Sequence, residues 1–221
     1  MKERPILSNS EMVRAILEGR KTQTRRIVKP QPVPYPGGGH WWRCDYVQSM
    51  VRVEQELQNP CELYKGFIEE VNPFGKKGDR LWVRETFGTK IRNIGGTPHE
   101  SFAYKADKSD EVCYYDCNGN GYPVKWVPSI HMPRSACRIV LEITNIRIER
   151  LNDISEADAI GEGCIAESCD HARRTCNEIG CYGPHATGQF KYLWESIKGK
   201  GSWDLNPWVW VIEFKVIQNG K

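Results

Sequence analysis

The side chains best suited to chemistry lie in one short basic segment, Gly19–Arg26. The segment combines an ammonium group, a hydroxyl group and two guanidinium groups, which belong to Lys21, Thr24, Arg25 and Arg26. A compact cation beside planar guanidinium groups and a hydroxyl can hold an anionic or carbonyl-bearing ligand. The alternative is that the cations only follow a helix end, which the helix macrodipole favours, and that Thr24 suits a strand.

A helix before this segment and a strand within it must position these groups. Apolar residues recur at helical spacing at Met12, Val13, Ile16 and Leu17. We expect Ser10 to cap the start of this helix and Gly19 to end it in the left-handed conformation. The reactive groups of the basic segment would then leave the helix end together.

Two long apolar segments in the second half of the chain are predicted as strands. Residues 138–150 alternate in their second half, with a one-residue slip near Thr144 and Asn145 that indicates a bulge or bend. Residues 208–216 are apolar enough to be buried on both faces of a sheet. A shorter strand is predicted over residues 81–85.

A glutamate lies just after a short predicted helix. Asp153 or Ser155 can cap this helix over residues 156–160, and the sequence then reads Gly161-Glu162-Gly163. From its surroundings alone, this glutamate is a solvent-exposed turn residue or an ion-pair partner of one of the arginines. A second helix is predicted over residues 190–197.

Proline and glycine mark where the regular elements are interrupted. Residues 30–40 contain four prolines and three consecutive glycines, which predicts a long loop. Residues 41–76 then follow as an insertion between core strands. Short separated strands with few helices favour an α+β fold, built as a small, partly closed β-barrel with flanking helices.

The overall composition excludes some classes of protein. A formal net charge of +3 is too small to indicate a strongly basic nucleic-acid-binding protein. No apolar run reaches the length of a membrane span, and the N-terminus lacks the apolar core of a signal peptide. We therefore expect a cytoplasmic protein that has no membrane partner and keeps its nine cysteines reduced. Core packing explains most of the eight tryptophans, and a few could stack on a base.

Four cysteines close together form a candidate metal site: Cys164, Cys169, Cys176 and Cys181. Structural zinc sites usually show paired ligands two to four residues apart, and none of these spacings is Cys-x-x-Cys. Two interpretations stay open, a structural zinc clip in a loop-like segment and scattered reduced thiols.

The basic segment is also familiar as a motif. The spacing Gly19-x-Lys21-x-x-Thr24-x-Arg26 resembles the signature of the ASCH domain, a PUA-like β-barrel family associated with RNA. Most members of this family carry Glu where this chain has Thr24. A small bacterial branch, which removes acetyl groups from 4-acetylcytidine, carries Gly-Arg-Lys-Thr-x-Thr-x-Arg at this place, and this chain resembles that branch.

Two later segments are similar to the same branch. Leu151–Glu156 resembles its Leu-x-x-Leu-Thr-Glu helix, and Glu162 follows at the spacing of its catalytic glutamate. Val211–Lys215 looks like its closing strand. The resemblance implies that Lys21, Thr24 and Glu162 are the catalytic residues of an amidohydrolase that acts on an N-acylated cytidine-like nucleoside or base.

The implied chemistry requires no cofactor. Thr24 would attack the acyl carbon once Lys21 takes its proton, and Glu162 would protonate the leaving amine or act as base on a water. Arg25 and Arg26 would bind the substrate, with Arg26 on the acyl oxygen or a phosphate. Replacing any of the three catalytic residues by Ala should abolish deacetylation and leave the melting temperature nearly unchanged.

The resemblance further implies one ASCH/PUA-like domain over residues 1–221, with insertions at about 30–76 and 164–187. Gly78–Thr86 and Gly201–Asp204 are similar to a longer subgroup found in phages and prophages. Two other functions fit the same residues: a module that binds RNA or a modified base without catalysis, and an ASCH-type ribonuclease. The partner is a nucleoside or RNA in each case, and the sequence leaves the oligomeric state open.

Overall fold

The protein is a mixed structure of helices and strands. A computed structural model describes residues 1–94, 97–107, 113–115, 120–165 and 185–219. The strands are β1 (Glu3–Leu7), β2 (Gln23–Ile27), β3 (Val33–Pro34), β4 (His40–Cys44), β5 (Ser49–Arg52), β6 (Arg80–Arg84), β7 (Phe87–Ile94), β8 (Thr97–Tyr104), β9 (Cys113–Tyr115), β10 (Gly121–Pro123), β11 (Ile139–Arg150) and β12 (Trp208–Asn219). The helices are α1 (Ser10–Leu17), α2 (Phe67–Val71), α3 (Glu156–Gly161) and α4 (Ala186–Lys198), with a π-helix at Val53–Gln58 and single 3₁₀ turns at Glu62–Tyr64, Lys105–Asp107, Ser129–His131, Arg134–Ala136 and Leu151–Asp153.

A five-stranded sheet in the order β1-β6-β11-β12-β2 forms the centre of the molecule. β1 and β6 are parallel, and the other neighbours are antiparallel. β12 lies between β11 and β2, and its first five residues, 208–212, are all buried. Both predicted long strands are present and pair with each other. The predicted burial of the closing strand on both faces is confirmed for residues 208–212 but not for Lys215 and Val216, which are exposed.

The slip in the pattern of β11 is a bulge. The pairing with β12 shifts register between Ile143 and Asn145, so that Thr144 is left out of the ladder. Ile146 and Ile148 then return to the buried face. The predicted bulge is confirmed. A second register shift, between Val140 and Leu141, leaves Ile217 of β12 out of the ladder and was not indicated by the sequence pattern.

The central sheet is open but strongly curved. Within the described residues no ladder joins β1 to β2, so the sheet does not close on itself. The two edges nevertheless approach each other, because Nη2 of Arg26 on β2 donates to the carbonyl oxygen of Leu7 on β1 at 2.6 Å. α1 connects these edge strands, and its buried Val13 and Ile16 join the main core.

The segment over residues 30–76 has a structure of its own. β3, β4 and β5 form a small antiparallel sheet, and the π-helix and α2 follow. Its side chains belong to the same core as the central sheet, and the Trp42 ring meets the Trp210 ring edge-on with centroids 5.5 Å apart. The predicted insertion therefore also supplies core residues. Two further hairpins, β7–β8 and β9–β10, lie outside the central sheet. Among the described residues, no helix is both long and apolar enough to cross a membrane.

Candidate active site

The basic segment begins at a well-defined helix end. The N-cap of α1 is Asn9, whose Oδ1 accepts from the Met12 amide at 2.8 Å, and Ser10 is the first helical residue. The predicted cap was therefore wrong by one residue, because the chain is still extended at Asn9, with ψ at 170°. Gly19 has φ at 75°, which confirms the predicted left-handed residue at the helix end.

A second turn brings Glu162 to the basic segment. The Ser155 hydroxyl caps α3 by accepting from the Asp158 amide at 3.1 Å, as one of the two predicted caps. Glu162 follows α3 and pairs with Lys21 through an isolated antiparallel β-bridge. Gly163 then turns away with φ at 95°. Backbone pairing, and not side-chain attraction alone, thus joins two segments that are 141 residues apart.

The side chains of Lys21 and Glu162 form a buried ion pair. Nζ of Lys21 donates to Oε2 of Glu162 at 2.5 Å and to the Glu162 carbonyl oxygen at 2.9 Å. Each side chain is only 1% exposed. Burying two charges costs several kcal/mol per ion before their attraction is counted, so such pairs often belong to functional sites. The interpretation of Glu162 as an exposed turn residue is wrong, and its interpretation as an ion-pair partner is confirmed.

Arg25 holds Glu162 from the other side. Its Nη1 lies 3.3 Å from Oε1 of Glu162, while Nη2 contacts Glu149 and lies 3.4 Å from Oδ2 of Asp158. The Arg25 side chain is fully buried. Three carboxylates occupy most of its donors, so these contacts suit a positioning role for Glu162 better than the predicted contact with substrate.

Arg147 extends this network to the surface of β11. It pairs with Glu149 at 3.2 Å, with Asp158 at 2.7 Å and with Glu213. Burial alone would raise the pKa of Asp158, but a hydrogen bond from Gln23 and the charges of Arg147 and Arg25 outweigh it, so this pKa lies below its ordinary value. Sequence reasoning missed these partners. Alternation along β11 could have shown that residues 147 and 149 share a face, but not that Arg25 lies beneath them.

A small cavity lies between Thr24 and α4. Its volume is about 30 Å³, which is room for one or two water-sized groups. Thr24, Arg25, Arg26 and Glu162 line one side of it. The other side is formed by Met12 of α1 and by five residues of α4: Phe190, Leu193, Trp194, Ile197 and Lys198.

Lys21 is not in the wall of this cavity but lies behind Glu162. Within the described part of the chain, Lys21 and Thr24 share no hydrogen bond. Of the predicted catalytic residues, the structure therefore brings Thr24 and Glu162 to one cavity and joins Lys21 to it through the Glu162 carboxylate. The aromatic rings of Phe190 and Trp194, which the sequence did not single out, lie in the same wall.

A larger cavity of about 390 Å³ adjoins the small one. Met12, Leu193 and Glu162 line both cavities, so these side chains form the partition between them. The larger cavity also meets Arg20 and Tyr192. Its volume falls within the range of about 300–1,000 Å³ that is usual for small-molecule sites.

Arg26 points to the small cavity from β2. Burial lowers the pKa of its guanidinium, an effect that the Glu162 charge opposes. Nη2 donates to Leu7, whereas the buried Nε has no hydrogen-bond partner in the described structure. The predicted substrate-binding residue thus keeps donor capacity beside Thr24.

The candidate metal site is only partly described. Cys164 is a buried free thiol beside the Lys21–Glu162 pair, and burial together with the Glu162 charge raises its pKa to about 11. Cys169, Cys176 and Cys181 lie outside the described residues. Within the described ranges, no group of three or more His, Cys, Asp or Glu residues could hold a metal ion.

Comparisons with protein-family models, with curated proteins and with solved structures found no match to this chain. The geometry of the buried site is therefore the basis on which a function can be proposed.

Proposed function

We propose that this chain is an ASCH-type amidohydrolase that removes the acyl group from an N-acylated cytidine-like nucleoside or base. One observation carries the proposal. The Glu162 carboxylate is buried, is held from two sides by Lys21 and Arg25, and lies in the wall of the same cavity as the Thr24 side chain. A nucleophile, a proton carrier and cations for a developing oxyanion are the groups that amide hydrolysis requires.

The reaction we propose begins at the Thr24 hydroxyl. Its oxygen forms a bond to the acyl carbon, and its proton passes to the Lys21–Glu162 pair, in which Nζ of Lys21 lies 2.5 Å from Oε2 of Glu162. The carbon–nitrogen bond then breaks, and the pair returns the proton to the leaving amine. Water hydrolyses the acyl ester and regenerates Thr24. Arg26, whose Nε is without a partner among the described residues, would bind the oxyanion.

The size of the cavities constrains how a substrate binds. A nucleoside does not fit into about 30 Å³, whereas the adjoining cavity of about 390 Å³ has room for it. Movement of the Met12 and Leu193 side chains would join the two spaces around Glu162. Methionine and leucine side chains adjust at modest cost, which supports this opening.

The scaffold that we propose is a single PUA-like domain over residues 1–221, built on a partly closed β-barrel, with insertions at about 30–76 and 164–187. The contact between Arg26 and Leu7 supports it, because only a strongly curved sheet brings its edge strands that close. The reaction uses side chains alone, and zinc would be structural if present. Cys44, Cys61, Cys137 and Cys164 are free thiols, which suits a cytoplasmic protein, in agreement with a nucleoside or RNA partner.

The decisive experiment measures deacetylation of 4-acetylcytidine by the wild type and two variants. We expect Thr24→Val and Glu162→Gln to lower kcat/KM by about 10²-fold or more, because each removes a group that acts in the transition state. Thr22→Val is the matched control, since Thr22 lies in the same segment with an exposed side chain, and it should retain activity within about twofold. Wild-type protein that leaves the substrate intact would contradict the proposal.

The two alternative functions are tested by adding single-stranded RNA, in place of 4-acetylcytidine, to the same protein. Single-stranded RNA that binds in a salt-dependent way without being changed would favour the binding module. Cleavage of that RNA by the wild type, together with loss of cleavage when the Arg26 side chain is replaced, would favour the ribonuclease.

A further inference from the structure

We propose that Arg26 and Lys198, with Lys29 beside them, form a phosphate-binding site at the mouth of the small cavity. The ligand is then a nucleotide unit and not a free nucleoside. This inference rests on the proposed function for the identity of the base only. The phosphate site itself can be tested without hydrolysis.

The two principal cations come from different elements and meet at one cavity. Arg26 lies on β2, and Lys198 is the last residue of α4, and both line the small cavity. Ile197, which also lines it, is 48% exposed, and the Lys198 side chain is exposed as well. The cavity therefore opens to solvent at the C-terminal end of α4.

These cations have no counter-charge in the described structure. Among the described residues, no carboxylate lies within 4.0 Å of Arg26, Lys29 or Lys198. The carboxylate in the cavity wall belongs to Glu162, and it is already shared between Lys21 and Arg25. Of the six other arginines in the strands of the central sheet, Arg4, Arg25 and Arg147 pair with carboxylates and Arg80, Arg84 and Arg150 do not within the described residues. What distinguishes this mouth is that two unpaired cations from different elements line one cavity.

The three cations lie close enough together to affect the pKa of Lys198. Burial, then the charges of Arg26 and Lys29, lower the pKa of Lys198. The proposed reaction uses the Arg26 Nε for the oxyanion, but Nη2 reaches only the Leu7 carbonyl oxygen and Nη1 has no hydrogen bond among the described residues, so the outer end of the guanidinium keeps free donors. A phosphate group has several acceptor oxygens and a negative charge, so it would accept from both the Arg26 guanidinium and the Lys198 ammonium. Guanidinium and ammonium groups are the usual ligands of phosphate.

The position of this site relative to Thr24 and Glu162 sets the orientation of the ligand. Thr24, Glu162, Arg26 and Lys198 line one cavity, and the exposed Lys198 lies at its solvent end. Once Met12 and Leu193 have moved and the two cavities are joined, a phosphate at the mouth directs the attached sugar and base inward, and the acylated amine then meets the catalytic pair. A 5′-monophosphate and the phosphodiester of an RNA strand present the same group, so the ligands below separate them.

Binding of cytidine, cytidine 5′-monophosphate, inorganic phosphate and a short cytidine oligoribonucleotide should be measured by calorimetry on the full chain. We expect the monophosphate to bind about tenfold or more tightly than cytidine, and the difference to shrink as salt is raised. An oligoribonucleotide that binds more tightly than the monophosphate would identify an RNA strand as the source of the phosphate. Equal affinities for cytidine and its monophosphate would overturn the site.

Variants at the end of α4 give the matched comparison. Lys198→Gln should remove most of the tenfold advantage of the monophosphate, and Lys198→Arg should keep it. Lys200→Gln is the control, because Lys200 is an exposed cation two residues further on, outside the cavity wall. An equal loss in the Lys200 variant would show that only general charge attraction is at work, and would overturn the site.

Hydrolysis separates this inference from the function on which it builds. If 4-acetylcytidine and its 5′-monophosphate are hydrolysed with equal kcat/KM, the phosphate site is wrong and the amidohydrolase stands. If binding of the monophosphate depends on Lys198 but neither compound is hydrolysed, the phosphate site stands and the amidohydrolase falls.

Discussion

The ion pair of Lys21 and Glu162 is not symmetric in its surroundings. Glu162 has a second cationic partner in Arg25, whereas the Lys21 ammonium depends on Glu162 for both its carboxylate and its carbonyl acceptor. Removing one side of the pair therefore leaves different groups unsatisfied. This asymmetry makes stability a direct probe of the site.

Glu162→Leu should destabilise the fold by about 3–5 kcal/mol, because it leaves the buried Lys21 ammonium without a counter-charge. Lys21→Met should cost less, since Glu162 keeps Arg25. The double variant should lose less than the sum of the two single losses, by about 0.5–3 kcal/mol. Urea unfolding of the four proteins measures this cycle, and strictly additive losses would show that the pair is not coupled.

Thr24→Val should change stability by less than about 1 kcal/mol while it removes activity. Thr24 is buried, but valine has the same shape, and no hydrogen bond of the Thr24 hydroxyl is seen among the described residues. The sequence alone predicted an unchanged melting temperature for all three catalytic residues. The structure leaves that expectation in place for Thr24. For Lys21 and Glu162, whose charges are buried against each other, we instead expect a loss of stability.

At the scale of single residues, the sequence indicated the groups but not their partners. The type and spacing of Lys21, Thr24 and Glu162 were visible in the chain. Glu149 and Asp158, which hold Arg25, carried no signal, because surface-like carboxylates on a strand and a helix resemble any solvated residue. Only the packed structure shows that they close around a guanidinium group.

At the scale of elements, the turn after α3 fits closely against the basic segment. A Cβ atom at Gly163 would lie 2.9 Å from Cβ of Ala15 and 3.3 Å from Cβ of Lys21. With φ at 95°, the residue also requires a conformation that favours glycine. The turn is therefore the element that sets how near Glu162 comes to Lys21.

Gly163→Ala should destabilise the protein by about 2–4 kcal/mol, of which the left-handed conformation accounts for about 1–2 and the contact with α1 for the rest. It should also lower activity, because Glu162 is displaced. Gly78→Ala is the control, since Gly78 has φ at 85° but no atom within 4 Å of the added Cβ. Comparable losses of melting temperature in the two variants would argue against a close fit at Gly163.

The junction of β1 and β6 gives a prediction for acid stability. Asp79 accepts from the Lys2 amide at 2.7 Å, and this bond, with a further bond from the Lys76 amide and the charge of Arg4, lowers its pKa despite burial. Its contribution is thus present above about pH 4 and is lost as pH falls through the lowered pKa. Acid should therefore weaken this junction.

Asp79→Asn should lower stability at pH 7 by about 1–2 kcal/mol and flatten the dependence of stability on pH below about pH 4. Asp45→Asn, which alters an exposed pair with Arg43, should leave the pH profile unchanged. Urea unfolding between pH 2.5 and pH 7 tests this, and parallel profiles for the wild type and the Asp79 variant would contradict it.

Element boundaries were predictable where the signal was local. Gly19, Ser155 and the bulge at Thr144 are set by neighbouring residues, and the sequence located them. α4 begins at Ala186, earlier than the predicted 190–197, because the Glu156 carboxylate accepts from the amides of Ala186 and Thr187. That cap comes from α3, thirty residues earlier in the chain, so no local pattern could show it.

At the scale of the whole molecule, the segment over residues 30–76 is part of the core. Its prolines and glycines predicted interruption, and the structure indeed has only short elements there. What the pattern could not show is that Trp42 and Val51 pack with the central sheet. Long-range packing of this kind depends on the fold of the complete chain, and the sequence period reports only which face is apolar.

The zinc question also concerns the molecule as a whole. We expect chelation to leave the melting temperature unchanged, because Cys164 packs as a buried side chain in an apolar cluster with Ala159 and Phe190, and none of the cysteine spacings is Cys-x-x-Cys. Elemental analysis of purified protein, and thermal unfolding with and without a chelator, test this. About one equivalent of zinc together with a lower melting temperature after chelation would establish the structural clip.

Because 141 residues separate Lys21 from Glu162, the ribosome synthesises the two partners of the ion pair at different times. At about 5–20 residues per second, the ribosome needs roughly 7–28 s after Lys21 to add its partner. The strand that pairs with β2, at residues 209–213, is made later still. During that interval the basic segment is complete, but the Glu162 carboxylate with which Lys21 forms its ion pair does not yet exist. A chain whose synthesis stops before Glu162 would carry the whole basic segment but could not form the buried ion pair.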